Sequence, residues 1–328
     1  MPVFYQSYFA NPDGLLWVYD RKHQSFMELH PLVICYEKDL YTVKPDGKPR
    51  DTRVETKVMG LVDGVGSRGI REFHANKPNR QAEEAVAFFT AFQYMRVPTM
   101  RRDISETYAR SIEEFSRIAF ATVERARHVI EQHARHTGEL IIVTPESMVE
   151  AVQQKQINVV ATEVPFLENM LHLSAKLSRL FLDLDWEILT ASKDTGFILC
   201  DCPVVTVPPR GCKDVGFLVP GSAKYFPLTR DLCLRLGEPG KNRRYRKVDR
   251  ESVRIINQNI AVNSERFIMG PSKAQLENVI ERSGSGEMQS APRLAIETIQ
   301  SDDDGSLQKF SAMPRGYFYP KDGSLSAP

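Results

Sequence analysis

Asp201 follows the apolar run Phe197-Ile-Leu-Cys200 and stands two residues before Pro203. A carboxylate where a strand stops pairing occupies an address at which function concentrates in sheet-containing folds. Gln93, Arg96 and Phe89 share one side of a helix that Pro98 should end, because proline lacks a donor and crowds the preceding turn. A buried Arg96 beside Asp201 or Glu55 would offer a rigid, permanently charged fork to phosphate or carboxylate. Its plainer role is an internal ion pair tying helix to sheet. Glu55 and Asp201 side by side would instead raise one pKa and suit acid–base or metal chemistry. The plainer role of Asp201 is a turn, bonding backbone ahead of Pro203.

Other clusters are weighed the same way. Lys241-Asn-Arg-Arg-Tyr-Arg-Lys-Val-Asp-Arg250 carries six basic residues and one acid, with Arg243, Arg244 and Tyr245 at its centre. Phosphate contacts plus one stacking ring would suit nucleic acid or another anionic ligand, and a solvated charged loop explains the composition equally well. Asn257, Asn259 and Asn263 sit in a helix although Asn is a poor helix former. Asn259 and Asn263 are four apart and share a face, so a polar network reaching the sheet is expected there. His128, His133 and His136 crowd a helix end, where cations are favourable without any ligand role. Cys35, Cys200, Cys202, Cys212 and Cys233 form an odd, scattered set that fits reduced thiols and matches no zinc spacing. Cys200 and Cys202 read as one face of a strand. Gly64-Val-Gly-Ser-Arg-Gly69 spells the dinucleotide-loop pattern, but a poor helix follows it, ending at Pro78. A flexible loop is the expectation.

The elements that must position these residues come from periodicity. Residues 1–50 read as β-rich, with Leu15–Tyr19, Pro31–Tyr36 and Leu40–Val43 as apolar segments between turns. From about 80 the period becomes helical, with Ala85, Phe88, Phe92 and Met95 forming one stripe. A second helix is expected from near Asp103 to His136, its stripe carried by Ile112, Phe115, Ala119, Ala126 and Ile130, with Gly138 as C-cap. A short helix follows Thr144, and Phe166, Met170, Leu173, Leu177 and Leu180 mark the buried face of another. Residues 186–237 return to short apolar runs, a helix starts near Glu251, and a weaker one near Ser272.

The chain of 328 residues is 42% hydrophobic and 26% charged, with a formal net charge of +1. These values describe an ordinary globular protein without whole-chain attraction to nucleic acid or anionic membrane. No run reaches the length of a membrane-spanning helix and no leader pattern opens the chain, so a cytoplasmic location is expected.

Several segments together resemble a bacterial family known only as domain-of-unknown-function family 4238. They are Pro2-Val-Phe-Tyr-Gln-Ser-Tyr-Phe9 with Leu16-Trp-Val-Tyr-Asp20, Ala91-Phe-Gln-Tyr-Met-Arg-Val-Pro98, and Phe197-Ile-Leu-Cys-Asp-Cys-Pro-Val204. Phe226-Pro-Leu228 and Asn257 through Arg266 are similar to its last two blocks, so the likeness runs over roughly residues 1–270. The family's opening Gln-His pair has no counterpart ahead of Pro2. If that histidine does chemistry in relatives, the resemblance implies a truncated, mis-started or inactive chain.

The expected architecture is α+β: a single domain over 1–270, made of a β segment (1–50), a helical block (51–183), and a β region with a closing helix (184–270). A weak helix over 271–283 and a disordered tail over 284–328 follow, since that tail has too few apolar residues to offset its ordering entropy. Two functions remain open. One is an enzyme on a phosphodiester or other anionic substrate, with Asp201 and Glu55 as carboxylates, Arg96 as clamp assisted by Gln93, and Arg243 and Arg244 guiding substrate. The other is a non-catalytic binding or sensing module in which the same groups knit helices to sheet. No cofactor is identified by the sequence.

Overall fold

The first core-forming residues belong to a short helix, a departure from the expected β segment. In the computed structural model, which describes residues 1–35, 37, 40–43, 49–138, 142–154, 156, 163–212, 216–217, 219–286, 294–300, 306–312 and 317–320, helix α1 spans Val3–Ser7. It turns Tyr5 into the interior, where the ring lies 5.6 Å from Phe9, 5.4 Å from Phe89 and 5.4 Å from Phe226. Aromatic rings at these spacings bury large areas and gain from edge and offset contact. Strands β1 (Leu16–Asp20) and β2 (Ser25–Leu29) form a hairpin. Pro31–Val33 is a 3-10 turn rather than strand, and 40–43 contributes only a bridge between Val43 and Asp51.

A π-helical stretch, Val54–Met59, runs into helix α2 (Gly60–His74). The glycine pattern read as a loop therefore lies inside a helix. The reason is packing against helix α3 (Arg80–Met95), which Asn79 caps by accepting from the Ala82 amide. A Cβ on Gly66 would meet the Phe89 ring at 2.2 Å, and one on Gly69 would meet the Ala85 Cβ at 2.8 Å. The glycines admit the neighbouring helix, not a phosphate. Helix α4 begins at Pro98 itself and ends at Ala119, where proline fits the donor-free first turn. The single helix expected to reach His136 is broken there, and α5 runs from Val123 to Thr137 with Gly138 as its left-handed cap. Phe115, expected on a buried stripe, is 70% exposed. Helices α6 (Pro145–Gln153) and α7 (Glu163–Leu182) follow. Along α7 the fully buried positions include Phe166, Met170, Ser174 and Phe181, while Leu173, Leu177 and Leu180 are half-buried.

Strand β3 (Leu184–Ala191) is followed by β4 (Leu199–Cys200), so Cys202 falls outside the strand that was to hold it. Then come β5 (Val205–Val207), β6 (Ala223–Pro227), β7 (Leu232–Pro239) and β8 (Arg243–Val248). Helix α8 (Arg250–Asn263) starts on an Asp249 cap, β9 is Phe267–Gly270, and α9 (Lys273–Ser283) starts on Ser272. Five strands form one sheet in the order β5-β6-β7-β3-β8, antiparallel except for β3 beside β8. Four form another, β2-β1-β9-β4, antiparallel throughout. The expected α+β class is observed. Within the tail read as disordered, the described residues include a hairpin of β10 (Leu294–Gln300) and β11 (Ser306–Ala312), and the segment 317–320.

The chain divides into two compact units, 1–100 with 170–328, and 101–169. The first contains both larger sheets, with α2, α3 and α8. In the second, Ala126 of α5 is buried, and α5 contacts α6. Among the described residues no helix is long and apolar enough to cross a membrane.

The glycine reading has a direct check. Gly64 has nothing within 4 Å of an added Cβ, so Gly64→Ala should raise stability by up to about 1 kcal/mol through helix propensity. Gly66→Ala should lower it by about 1–3 kcal/mol through overpacking against Phe89. Thermal or denaturant melts giving both variants the same sign would remove the packing explanation.

Candidate functional site

The four-stranded sheet brings three distant segments to one edge. β9 lies between β1 and β4, so Asp20 at the end of β1 is paired with Phe267 at the start of β9, and Asp201 follows β4 directly. The Asp201 carboxylate accepts three successive backbone N–H groups, from Glu265 at 2.8 Å, Arg266 at 2.7 Å and Phe267 at 3.0 Å. Its own N–H donates to the Phe267 carbonyl. Burial pushes the Asp201 carboxyl up, and the three amides pull it back only in part. The neighbouring peptide is therefore held by Asp201, which bonds a remote segment and not its own turn.

Asp20 is fixed from the other side. Its side chain is 2% exposed and takes a forked pair of bonds from Arg266 Nε and Nη2, the shortest at 2.7 Å. His23 Nδ1 lies 2.7 Å away, and the Lys22 amide donates at 2.9 Å. Burial opposes ionisation of Asp20, but these hydrogen bonds outweigh it and hold the carboxyl well below the usual range.

A partly open cavity of about 350 Å³ adjoins this edge. Its walls include Gln93 and Arg96 at the end of α3, Asp201, Glu265, Arg266 and Cys35. Burial pushes the Cys35 thiol up to about 12, so it stays protonated. Glu37 and Tyr41 also face it, and burial raises the Tyr41 hydroxyl. Arg96 is 7% exposed; its Nη1 donates to Asp63 Oδ1 at 3.0 Å, and its guanidinium stacks 5.7 Å from the Phe89 ring centroid. Among the described residues its Nε and Nη2 have no protein partner, and neither has Nε2 of Gln93, which is 1% exposed. Nε and Nη2 form the parallel edge of the guanidinium, the edge that grips a carboxylate or phosphate with two bonds. Arg53 on Asp51 and Arg266 on Asp20 use that same edge in this chain.

Arg96, Gln93 and Asp201 thus come to one cavity. Glu55 does not line it; its Oε2 accepts from Thr42 at 3.1 Å. Arg243 lies elsewhere, bonded to Glu83 and to the carbonyls of Leu182 and Leu184, with its guanidinium 4.7 Å from the Trp186 ring centroid. Arg244 and Tyr245 are exposed on β8, an edge strand and not the loop expected from the basic run. Asn263 donates to the carbonyls of Cys202 and Val204, Asn257 spans the Gly196 carbonyl and the Ile198 amide, and Asn259 reaches Phe318. Asp63, Glu265, Arg266 and Asp20 were not singled out in the sequence. Asp20 and Arg266 could have been suspected from their places at strand ends; Asp63, in a helix, carried no such signal. Among the described residues no group of three or more His, Cys, Asp or Glu could hold a metal ion, and all five cysteines are unbridged.

Residues 1–274 match the family described as protein of unknown function, DUF4238. The chain belongs to this family. No curated protein and no solved structure matches it. The match in this DUF4238 chain spans α1 to the first residues of α9, so every wall of the cavity named above falls inside the family region.

Asp201→Asn should destabilise this chain by about 1–3 kcal/mol, because an amide NH₂ replaces an acceptor that faces backbone donors; a melt unchanged from the parent would dismiss the tether. Asp20 gives a pH signature. Its folded pKa is depressed, so its stabilisation is present above the unfolded value and is lost as pH falls below about 4. The parent should lose more stability than Asp20→Asn between pH 5 and 2, a range chosen about that carboxylate value. Equal slopes in denaturant titrations would refute the pairing.

Proposed function

We propose that this chain is a binding module for a small ligand, gripped through an anionic group by Arg96 and Gln93. The observation that supports this is a set of three donors, on two almost wholly buried side chains lining one cavity, that have no partner among the described residues. A buried donor left unpaired costs about 1–3 kcal/mol, more when charged, which a ligand oxygen would offset. The cavity volume is within the range for small-molecule sites. Glu37, Asp201 and Glu265 share the walls with Arg96 and Arg266, so a bare anion would meet repulsion. The charge arrangement favours a ligand with a carboxylate or phosphate at one end and an ammonium or hydroxyl group at the other.

Binding is favoured over catalysis because both Asp201 oxygens already accept backbone donors and Glu55 is engaged outside the cavity. A catalytic reading has one supporting observation: Asp201 lines the cavity with its carboxyl raised by burial, the state of a general acid. It would require the carboxyl to release one of its amides.

Calorimetric titration with glycine, acetate and inorganic phosphate tests the proposal. Glycine should bind tighter than acetate. Arg96→Lys, which keeps the charge and loses the fork, should weaken binding about tenfold or more. Binding unaffected by Arg96→Lys and Gln93→Leu, or no binding of any of the three probes, would overturn it.

A further inference from the structure

The segment 317–320, Tyr-Phe-Tyr-Pro, is seated in a crevice lined in part by Ile255 and Asn259 of α8. Asn259, 1% exposed, holds the Phe318 backbone from both sides: its Nδ2 donates to the Phe318 carbonyl at 2.9 Å and its Oδ1 accepts from the Phe318 amide at 3.0 Å. Pairing with one residue's N–H and C=O repeats a strand ladder, so it reads backbone and not side chain. A third Asn259 bond, from Nδ2 to the Ile255 carbonyl at 3.0 Å, anchors the amide to its own helix. The side chains supply the selectivity. The Tyr319 hydroxyl donates to the Pro208 carbonyl at 3.0 Å, and the Arg210 guanidinium stacks 5.9 Å from its ring centroid. Val207, Ala223, Tyr225 and Ile255 line the same crevice, where about 90 Å³ is left unfilled, and Pro320 is buried.

We infer that this crevice is a peptide-recognition site for an extended aromatic–aromatic–proline segment, occupied in cis by residues 317–320 as a releasable strap. Three features carry it. Asn259 bonds the N–H and C=O of Phe318, groups that any peptide seated in the same pose would present. The contact is separated from α9 by a long stretch of chain, from Gly286 to Tyr317, that adds β10 and β11 as a hairpin of their own. The crevice is also not filled by its occupant. Tethering keeps the strap at an effective concentration in the millimolar range, so a free peptide of equal intrinsic affinity is excluded until the strap is loosened.

The test uses the full chain and a fluorescent peptide copying residues 313–322. Phe318→Ala with Tyr319→Ala removes both rings, the Tyr319 hydroxyl bond and the Arg210 stacking, which should loosen the strap while Asn259 and the walls from 207 to 225 are unchanged. That variant should bind the peptide at least ten times more tightly than the parent, by fluorescence anisotropy, and adding Asn259→Ala should abolish the gain. A folded, strap-released variant that ignores the peptide, or one that binds it equally without Asn259, overturns the inference. Should the double variant not fold, hydrogen exchange on soluble chains decides: the Phe318 amide should be protected in the parent and exchange at least tenfold faster in Asn259→Ala. Equal rates overturn it. A parent chain that is dimeric by light scattering and becomes monomeric on strap release would assign the segment to a second copy, and so refute the cis arrangement.

Discussion

Three consecutive amides, those of Glu265, Arg266 and Phe267, point at one carboxylate, Asp201. This arrangement locks the turn between α8 and β9 to the end of β4. Through β9 it also fixes the N-terminal strand β1, because β9 is the strand between them. Removing water from a carboxylate is expensive unless donors replace it, and the three amides supply those donors. Arg266 then leaves the turn at a set angle, with its fork on Asp20. The cavity wall is built from the same few residues, which makes stability and site geometry one problem.

The two arginines of this region show how context sets the role of one side chain. Arg266 has its parallel edge satisfied by Asp20 and serves as a clamp between strands. Arg96 spends Nη1 on Asp63, and its parallel edge beside the cavity has no partner among the described residues. A guanidinium with five donors can do both kinds of work at once, holding a helix neighbour with one nitrogen and presenting a fork with the others. The alternatives drawn from the sequence for Arg96, ion pair or anion clamp, are therefore compatible. The ion pair joins two helices, α2 and α3, instead of helix and sheet.

Helix α8 supplies the other organising device. Its asparagines, poor choices for helix propensity, each bond a backbone segment that has left regular pairing: Asn257 before β4, Asn263 after it, Asn259 the C-terminal strap. A short amide side chain carries both a donor and an acceptor, so it can stand in for a missing strand neighbour. The unusual composition of the helix thus reflects what surrounds it.

The sequence by itself determined the α+β class, the helical period of α3 and the strand ending at Asp201, whereas the asparagines Asn259 and Asn263, expected to form one network reaching the sheet, bond separate segments. The first three are local matters of periodicity, capping or propensity. It misplaced what depends on a neighbour. Glycine spacing at 64–69 reads alike for a phosphate loop and for a helix pressed against Phe89, and only the packing of α3 against α2 distinguishes them. Arg243 belongs to a basic run in one dimension, yet in three it is consumed by Glu83, three carbonyls and Trp186. The meeting of Asp20, Asp201 and Arg266 was decided wholly by tertiary structure, because strand pairing across more than two hundred residues follows from global burial and leaves no local trace.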